Sequence, residues 1–227
     1  MTERTLHYEK EMLFLNSKLM EFVDGVEDLF EKTLYAVKSG DERIIAEIEQ
    51  MDDYFDELDV QIQLTAFDVI AKYQPLAEDL RFVVAMIGLS IDLERIADEC
   101  VNIARLSRQV QRSLESFSSW ETLNQMIRII SVMLQQTVDA VKHKDLDLAI
   151  KVWKRDAEVD KLHNEGHDNL IDLACHETNP RMMRVYLEEA FLIRHLERIA
   201  DYLTNICEKL YFMQTGEQLK KIMRPQH

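Results

Sequence analysis

Apolar residues recur along this chain at steps of three, four and seven positions. Leu6, Leu13, Met20 and Val23 hold one such stripe near the start. That spacing is the 3.6-residue period of an amphipathic helix, not the alternation of a half-buried strand. It predicts a first helix from about Thr5 to Lys38. Ser39-Gly40-Asp41 then stops one helix and caps the next. A second helix is predicted from Glu42 to Tyr73, ending before Pro75 because a residue that precedes proline is disfavoured in the helical region. A third runs from beyond Pro75 to about Arg112. The segment Ser113–Ser119 breaks the pattern and reads as a linker. Three more helices follow, over Trp120–Lys142, Leu146–His176 and Arg181–Tyr211, with the break at Glu177–Pro180 mirroring the one at Pro75. Helices of ~30 residues are ~45 Å long, and short connections between them suit up-and-down bundles. The expected fold is all-α: two tandem three-helix bundles, residues 1–112 and 120–227, joined by 113–119.

The two halves repeat each other. Glu94-Arg95-Ile96-Ala97-Asp98 recurs as Glu197-Arg198-Ile199-Ala200-Asp201, and an Asn follows each copy four residues after the Asp, at Asn102 and Asn205. Ala36-Val37-Lys38 with Asp41 matches Ala140-Val141-Lys142 with Asp145. Asp52, Asp56 and Leu58 match Asp156, Asp160 and Leu162. Self-similarity in fixed order over such a length marks duplication of a whole supersecondary unit.

Composition narrows the class. Among 227 residues there are 5 Gly and 3 Pro, too few to punctuate a strand-rich fold, and 47% are hydrophobic, enough for a large core. The net charge of −15 opposes binding to nucleic acid or anionic lipid and favours cations or basic partner surfaces. The most apolar stretch, Phe82–Ile91, is far shorter than the ~20 residues of a membrane span and contains Gly88 and Ser90. The charged N-terminal sequence has no signal-peptide core, so a cytoplasmic protein without direct membrane insertion is expected. Three cysteines without close spacing read as reduced thiols.

The duplicated carboxylates are the candidate chemistry. Glu94 and Asp98 stand at i and i+4 on one helix face, and Asn102 extends the stripe by a turn. Asp52 and Asp56 form a second pair on the preceding helix. The other half repeats the set as Asp156, Asp160, Glu197, Asp201 and Asn205. Like charges at i,i+4 cost a few tenths of a kcal/mol. Two such faces packed together cost up to ~4 kcal/mol per close pair at an effective dielectric of about 20. A cation between them reverses the sign. Carboxylate and carboxamide oxygens are hard ligands suited to Mg, Mn, Fe or Zn. An isolated acidic pair is ordinarily just a solvated face, but solvated charges have little physical reason to stay in register after duplication.

Other candidates carry less. His163 and His167 are spaced like a zinc clip but do not form the HExxH pattern, and Asp59 stands opposite His163 in the first half. His195, opposite Asp92, is expected to be peripheral. Cys100 and Cys207 align with Leu203 and Ala104 and read as core residues. No phosphate-cradling glycine loop, nucleophile elbow or catalytic triad signature is present.

The doubled ERIAD-x-x-x-Asn motif, Asp-x-x-x-Asp on each preceding helix, Pro75-Leu76-Ala77-Glu78-Asp79-Leu80-Arg81 opening the third helix, and the closing Ile206–Glu217 segment resemble the PhoU family of bacterial phosphate-uptake regulators over nearly the whole chain. The resemblance implies a cytoplasmic, often dimeric protein that restrains phosphate uptake and the starvation response. Its implied partners are the ATPase subunit of the phosphate ABC transporter and a sensor histidine kinase. The resemblance also implies metal ions on the acidic pairs, without fixing which metal. Many members carry His directly after the motif Asp, where this chain has Glu99 and Tyr202. Two other classes stay open at this point. One is a di-iron carboxylate enzyme, which needs two Glu-x-x-His motifs where this chain has a single Asp160-x-x-His163. The other is a purely structural helical adaptor.

Overall fold

Capping chemistry sets the helix ends. In a computed structural model that describes residues 3–110, 117–118 and 120–223, α1 spans Glu3–Ser39, α2 Glu42–Tyr73 and α3 Ala77–Val110. α4 spans Trp120–His143, α5 Leu146–His176, α6 Pro180–Thr215 and α7 Leu219–Met223. The Asp41 carboxylate accepts from the Arg43 N–H at the start of α2, and Asp145 accepts from Asp147 and Leu148 at the start of α5. Each satisfies N–H groups that the first helical turn leaves orphaned. Asn179 does the same for α6, followed by Pro180 in the first turn, where its missing N–H costs nothing. α6 runs a turn beyond the expected Tyr211. It ends where Gly216, at φ 77°, turns left-handed and returns its N–H to the Phe212 carbonyl. The short α7 was not foreseen. No strand occurs among the described residues, and no helix there is long and apolar enough to cross a membrane.

Helices α1, α2 and α3 pack on one another, as do α4, α5 and α6, and the most extensive contact of any helix pair joins α3 to α6. The result is two three-helix bundles related as the duplication predicts, with their third helices side by side. Phe22 stacks on Phe55 at 5.5 Å between ring centroids in the first core. Cys100 and Cys207 are buried, and burial raises both thiols to about 12. The linker expected over 113–119 lies outside the described residues except for Phe117 and Ser118, as do Gln111 and Arg112 of the expected third helix. One detail of the apolar pattern fails. Leu6 and Leu13 are exposed, Leu13 by 70%. The core stripe of α1 is carried by Leu15, Leu19, Phe22, Val26 and Leu29 and continues toward the N-terminus through Met12 and Tyr8, a helix face that positions 6 and 13 do not share.

The α3–α6 junction is polar at its centre. The Glu99 carboxylate, 2% exposed, receives Arg198 at 2.7 Å and faces His195 Nδ1 at 2.6 Å. Arg198 also donates to the Tyr202 hydroxyl, and Arg95 and Arg198 each lie 5.7 Å from the Tyr202 ring centroid. Asp92, equally buried, is held by Lys209 and lies within ion-pair reach of Arg95. The Lys209 stem crosses α3 at Gly88, where a Cβ would sit 2.7 Å from Lys209 Cε. His195, expected at the periphery, is therefore part of the bond between the repeats. So are Glu99 and Tyr202, each directly after its motif Asp.

Candidate metal centre

The motif residues divide by helix face. In each ERIAD copy the Arg turns to the other repeat, while Glu and Asp turn to the preceding helix of their own repeat. In the second repeat this brings α5 and α6 carboxylates together: ligand oxygens of Asp156, Asp160 and Asp201 all lie within 4.8 Å of one another. A single cation with oxygen bonds of about 2.0–2.6 Å can bridge that spread. Asp156 Oδ1 is buried without a hydrogen-bond partner, a costly state for a carboxylate oxygen unless something charged completes it. Burial first, then Asp160 and Asp201, push the Asp156 carboxyl up to about 6. Burial and the neighbouring carboxylates also raise Glu197 and Asp201. The donor set is all hard oxygen and makes no close ion pair among the described residues, although His163 acts on Glu197 and Asp201, Arg194 on Glu197, and Lys220 and Arg198 on Asp201; it fits a divalent or trivalent cation.

The first repeat gathers the corresponding set more loosely. Burial and then Asp98, Asp56 and Asp59 raise Glu94 to about 7. Burial, Asp52 and Asp56 raise Asp98, and Asp56 is raised by burial and its acidic neighbours. Asp52, however, is paired with Arg105 at 3.2 Å. Arg105 and Arg108 also hold Glu49, and Arg108 reaches Glu42. Asp59, one turn beyond Asp56, joins the cluster unforeseen; it accepts from Ser90 and Gln63 at 2.6 Å each. Its position at i+3 from Asp56 was the available signal. Among the described residues no three carboxylates here approach one another as closely as the three in the second repeat.

Of the two asparagines, Asn205 also faces away from its cluster. Asn102 is half-buried. Asn205 lines a separate cavity of about 620 Å³ together with Gly88, Lys209, Phe212 and Leu219. That cavity lies toward α3 and α7, not toward α5.

Comparison with known proteins agrees with this architecture. A family model described as the PhoU domain matches the chain twice, over residues 19–107 and 123–210. The phosphate-specific transport system accessory protein PhoU homolog of Caulobacter vibrioides is 30% identical over 220 residues, covering 96% of this chain and 95% of the relative. PhoU homolog 1 of Thermotoga maritima is 26% identical over 220 residues, with 96% and 94% covered. The crystal structure of PhoU from Pseudomonas aeruginosa superposes with a TM-score of 0.85 at 27% identity, over 92% of this chain and 100% of that one. That of the phosphate transport system regulatory protein PhoU from Streptococcus pneumoniae gives 0.81 at 27% identity, over 93% and 99%.

Proposed function

The chain belongs to the PhoU family, and from that premise we propose that it restrains phosphate uptake by contact with the transport machinery, without an enzymatic activity of its own. The observation that carries the reading is full-length, two-repeat agreement with relatives named as accessory or regulatory proteins of phosphate transport. The partners proposed are the ATPase subunit of a phosphate ABC transporter and a sensor histidine kinase, met from the cytoplasmic side, with the chain itself as a homodimer. Long rigid helices offer extended contact faces, so affinity comes from a distributed surface rather than one pocket.

Within that role the acidic clusters are proposed as metal sites. Asp156, Asp160, Glu197 and Asp201 would hold one cation, and Asp52, Asp56, Glu94 and Asp98 another. Asn102 is proposed as a further oxygen donor at the first cluster, and Asn205 as a marginal one at the second, since it lines a different cavity. The cation supplies counter-charge to carboxylates that repel one another, stiffening α2 against α3 and α5 against α6. Its proposed identity is Mg, Mn, Fe or Zn, which oxygen donors alone do not discriminate.

The test is genetic and biochemical. Deleting the gene should raise phosphate import and switch on starvation genes while phosphate is plentiful, and the wild-type chain should restore restraint. Affinity capture from cells grown at high and low phosphate should recover the transporter ATPase and the kinase. A deletion strain with unchanged import and unchanged starvation-gene expression would remove the regulatory reading.

A further inference from the structure

Beside the second carboxylate cluster lies a cavity of about 530 Å³ that shares Glu197 with it. His163 and His167 of α5 and Arg194 and Arg198 of α6 line it. The two imidazoles stand 6.0 Å apart between ring centroids. Gly166, between them in sequence, is buried against Ile193, which keeps α5 close enough to α6 for both rings and Arg194 to border one space. Arg198 is engaged by Glu99 and Tyr202 and contributes mainly charge. Arg194 is exposed, and its positive charge acts on Glu197 one turn away. Each imidazole has at least one N–H to donate and the guanidinium has five, so three side chains that can donate border one cavity. The histidines do not join a close grouping of ligand atoms as Asp156, Asp160 and Asp201 do, so the cavity is not a second cation cage.

The first repeat has no counterpart. Asp59, Gln63 and Ile91 occupy the positions of His163, His167 and Arg194, and Asp59 is satisfied by Ser90 and Gln63. The basic wall belongs to the second repeat alone.

An anion in this cavity is repelled by Glu197, Asp201 and Asp160 while those carboxylates are bare. A cation among them reverses the local field. We infer that the cavity is a binding site for a tetrahedral oxyanion of the phosphate class, open for binding when the adjacent carboxylates hold a cation. His163, His167 and Arg194 donate hydrogen bonds to the oxyanion, and its remaining charge faces the cation. Coupling of this kind is reciprocal: metal strengthens oxyanion binding, and the oxyanion strengthens metal binding by the same factor. The inference rests on the metal reading of the cluster.

Titration calorimetry on the full chain tests it, with and without loaded Mn²⁺. Inorganic phosphate and phenyl phosphate serve as probes, the second standing for a phosphorylated side chain of a partner. Mn²⁺-loaded protein should bind at least one probe about ten-fold more tightly than chelator-stripped protein, and which probe binds identifies the source. The double variant His167→Gln/Arg194→Gln should lose that binding yet keep helicity and bind Mn²⁺ no more weakly than wild type, because both side chains are exposed, neither is a proposed ligand, and the Arg194 charge beside Glu197 opposes a cation there. Mn²⁺ binding with no probe binding, or equal probe binding by the variant, overturns the inference and leaves the metal reading intact. No binding of Mn²⁺, Mg²⁺, Fe²⁺ or Zn²⁺ overturns both.

Discussion

In the first repeat Arg105 reaches Asp52 at 3.2 Å, and Ser90 and Gln63 hold Asp59. At the position equivalent to Arg105 the second repeat has Glu208, which accepts from Trp153, the residue equivalent to Glu49. The cation that partly neutralises one cluster is thus replaced by an acid in the other, and Asp156 Oδ1 is left without a partner. Duplication preserved the carboxylates and changed their surroundings. Two copies of one ligand set are therefore not two equal sites: the second has three converging carboxylates and an adjacent basic cavity, and the first carries its own counter-charge.

The junction holds the two repeats against each other, and breaking it should give the largest effect. Glu99→Ala leaves Arg198 and His195 without their carboxylate. Removing one partner of a buried ion pair costs about 3–5 kcal/mol. Arg198 and His195 are partly exposed, so the lower end of that range is expected, read by urea unfolding. Glu99→Gln, which keeps a hydrogen-bond acceptor, should cost less.

Metal removal comes next. Chelation should lower the melting temperature of wild-type protein, since a ligand at 100 times its Kd contributes about 2.7 kcal/mol. The same chelation should change Asp160→Asn/Asp201→Asn less, because a neutralised cluster does not need its cation. Identical melting curves with and without chelator would mean that no cation supports the fold.

Acidity sharpens the contrast further. Glu94 is raised from its ordinary 4.5 to about 7, and Asp156 from 3.8 to about 6. With folded values above unfolded ones, the stability tied to these groups is fully present below the unfolded values. It is lost as pH rises, through about 7 for Glu94 and about 6 for Asp156. Metal-free protein should therefore lose stability as pH rises from about 5 to about 7.5. Glu94→Gln should flatten the upper part of that slope and Asp156→Asn the lower part. The smallest effect belongs to Arg105→Ala. It removes exposed ion pairs worth at most ~1 kcal/mol, yet it should raise the cation affinity of the first site by freeing Asp52. An unchanged affinity would mean that Arg105 does not set the difference between the repeats.

Much of this was legible in the sequence, for local reasons. Asp41 announced a helix start by side-chain chemistry alone, and the i,i+4 carboxylates predicted their shared face because helical geometry leaves no alternative. The junction was not legible. Its partners are antiparallel and about a hundred positions apart, and the equivalent residues differ: Asp92 against His195, Glu99 against Tyr202. A repeat search finds sameness, whereas this contact is built from differences. The available clue was two acids, Asp92 and Glu99, spaced seven apart within the apolar stripe of α3. The basic cavity was missed for a similar reason, since His163, His167 and Arg194 converge only once α5 lies against α6.

A Mn²⁺ titration by calorimetry, run on wild type, Asp160→Asn/Asp201→Asn and Glu94→Gln/Asp98→Asn, tests the inequality of the two sites most directly. The account predicts a tighter first equivalent that vanishes in the Asp160/Asp201 variant and survives in the Glu94/Asp98 variant. Equal losses in both variants, or a first equivalent that vanishes only when Glu94 and Asp98 are neutralised, would contradict it.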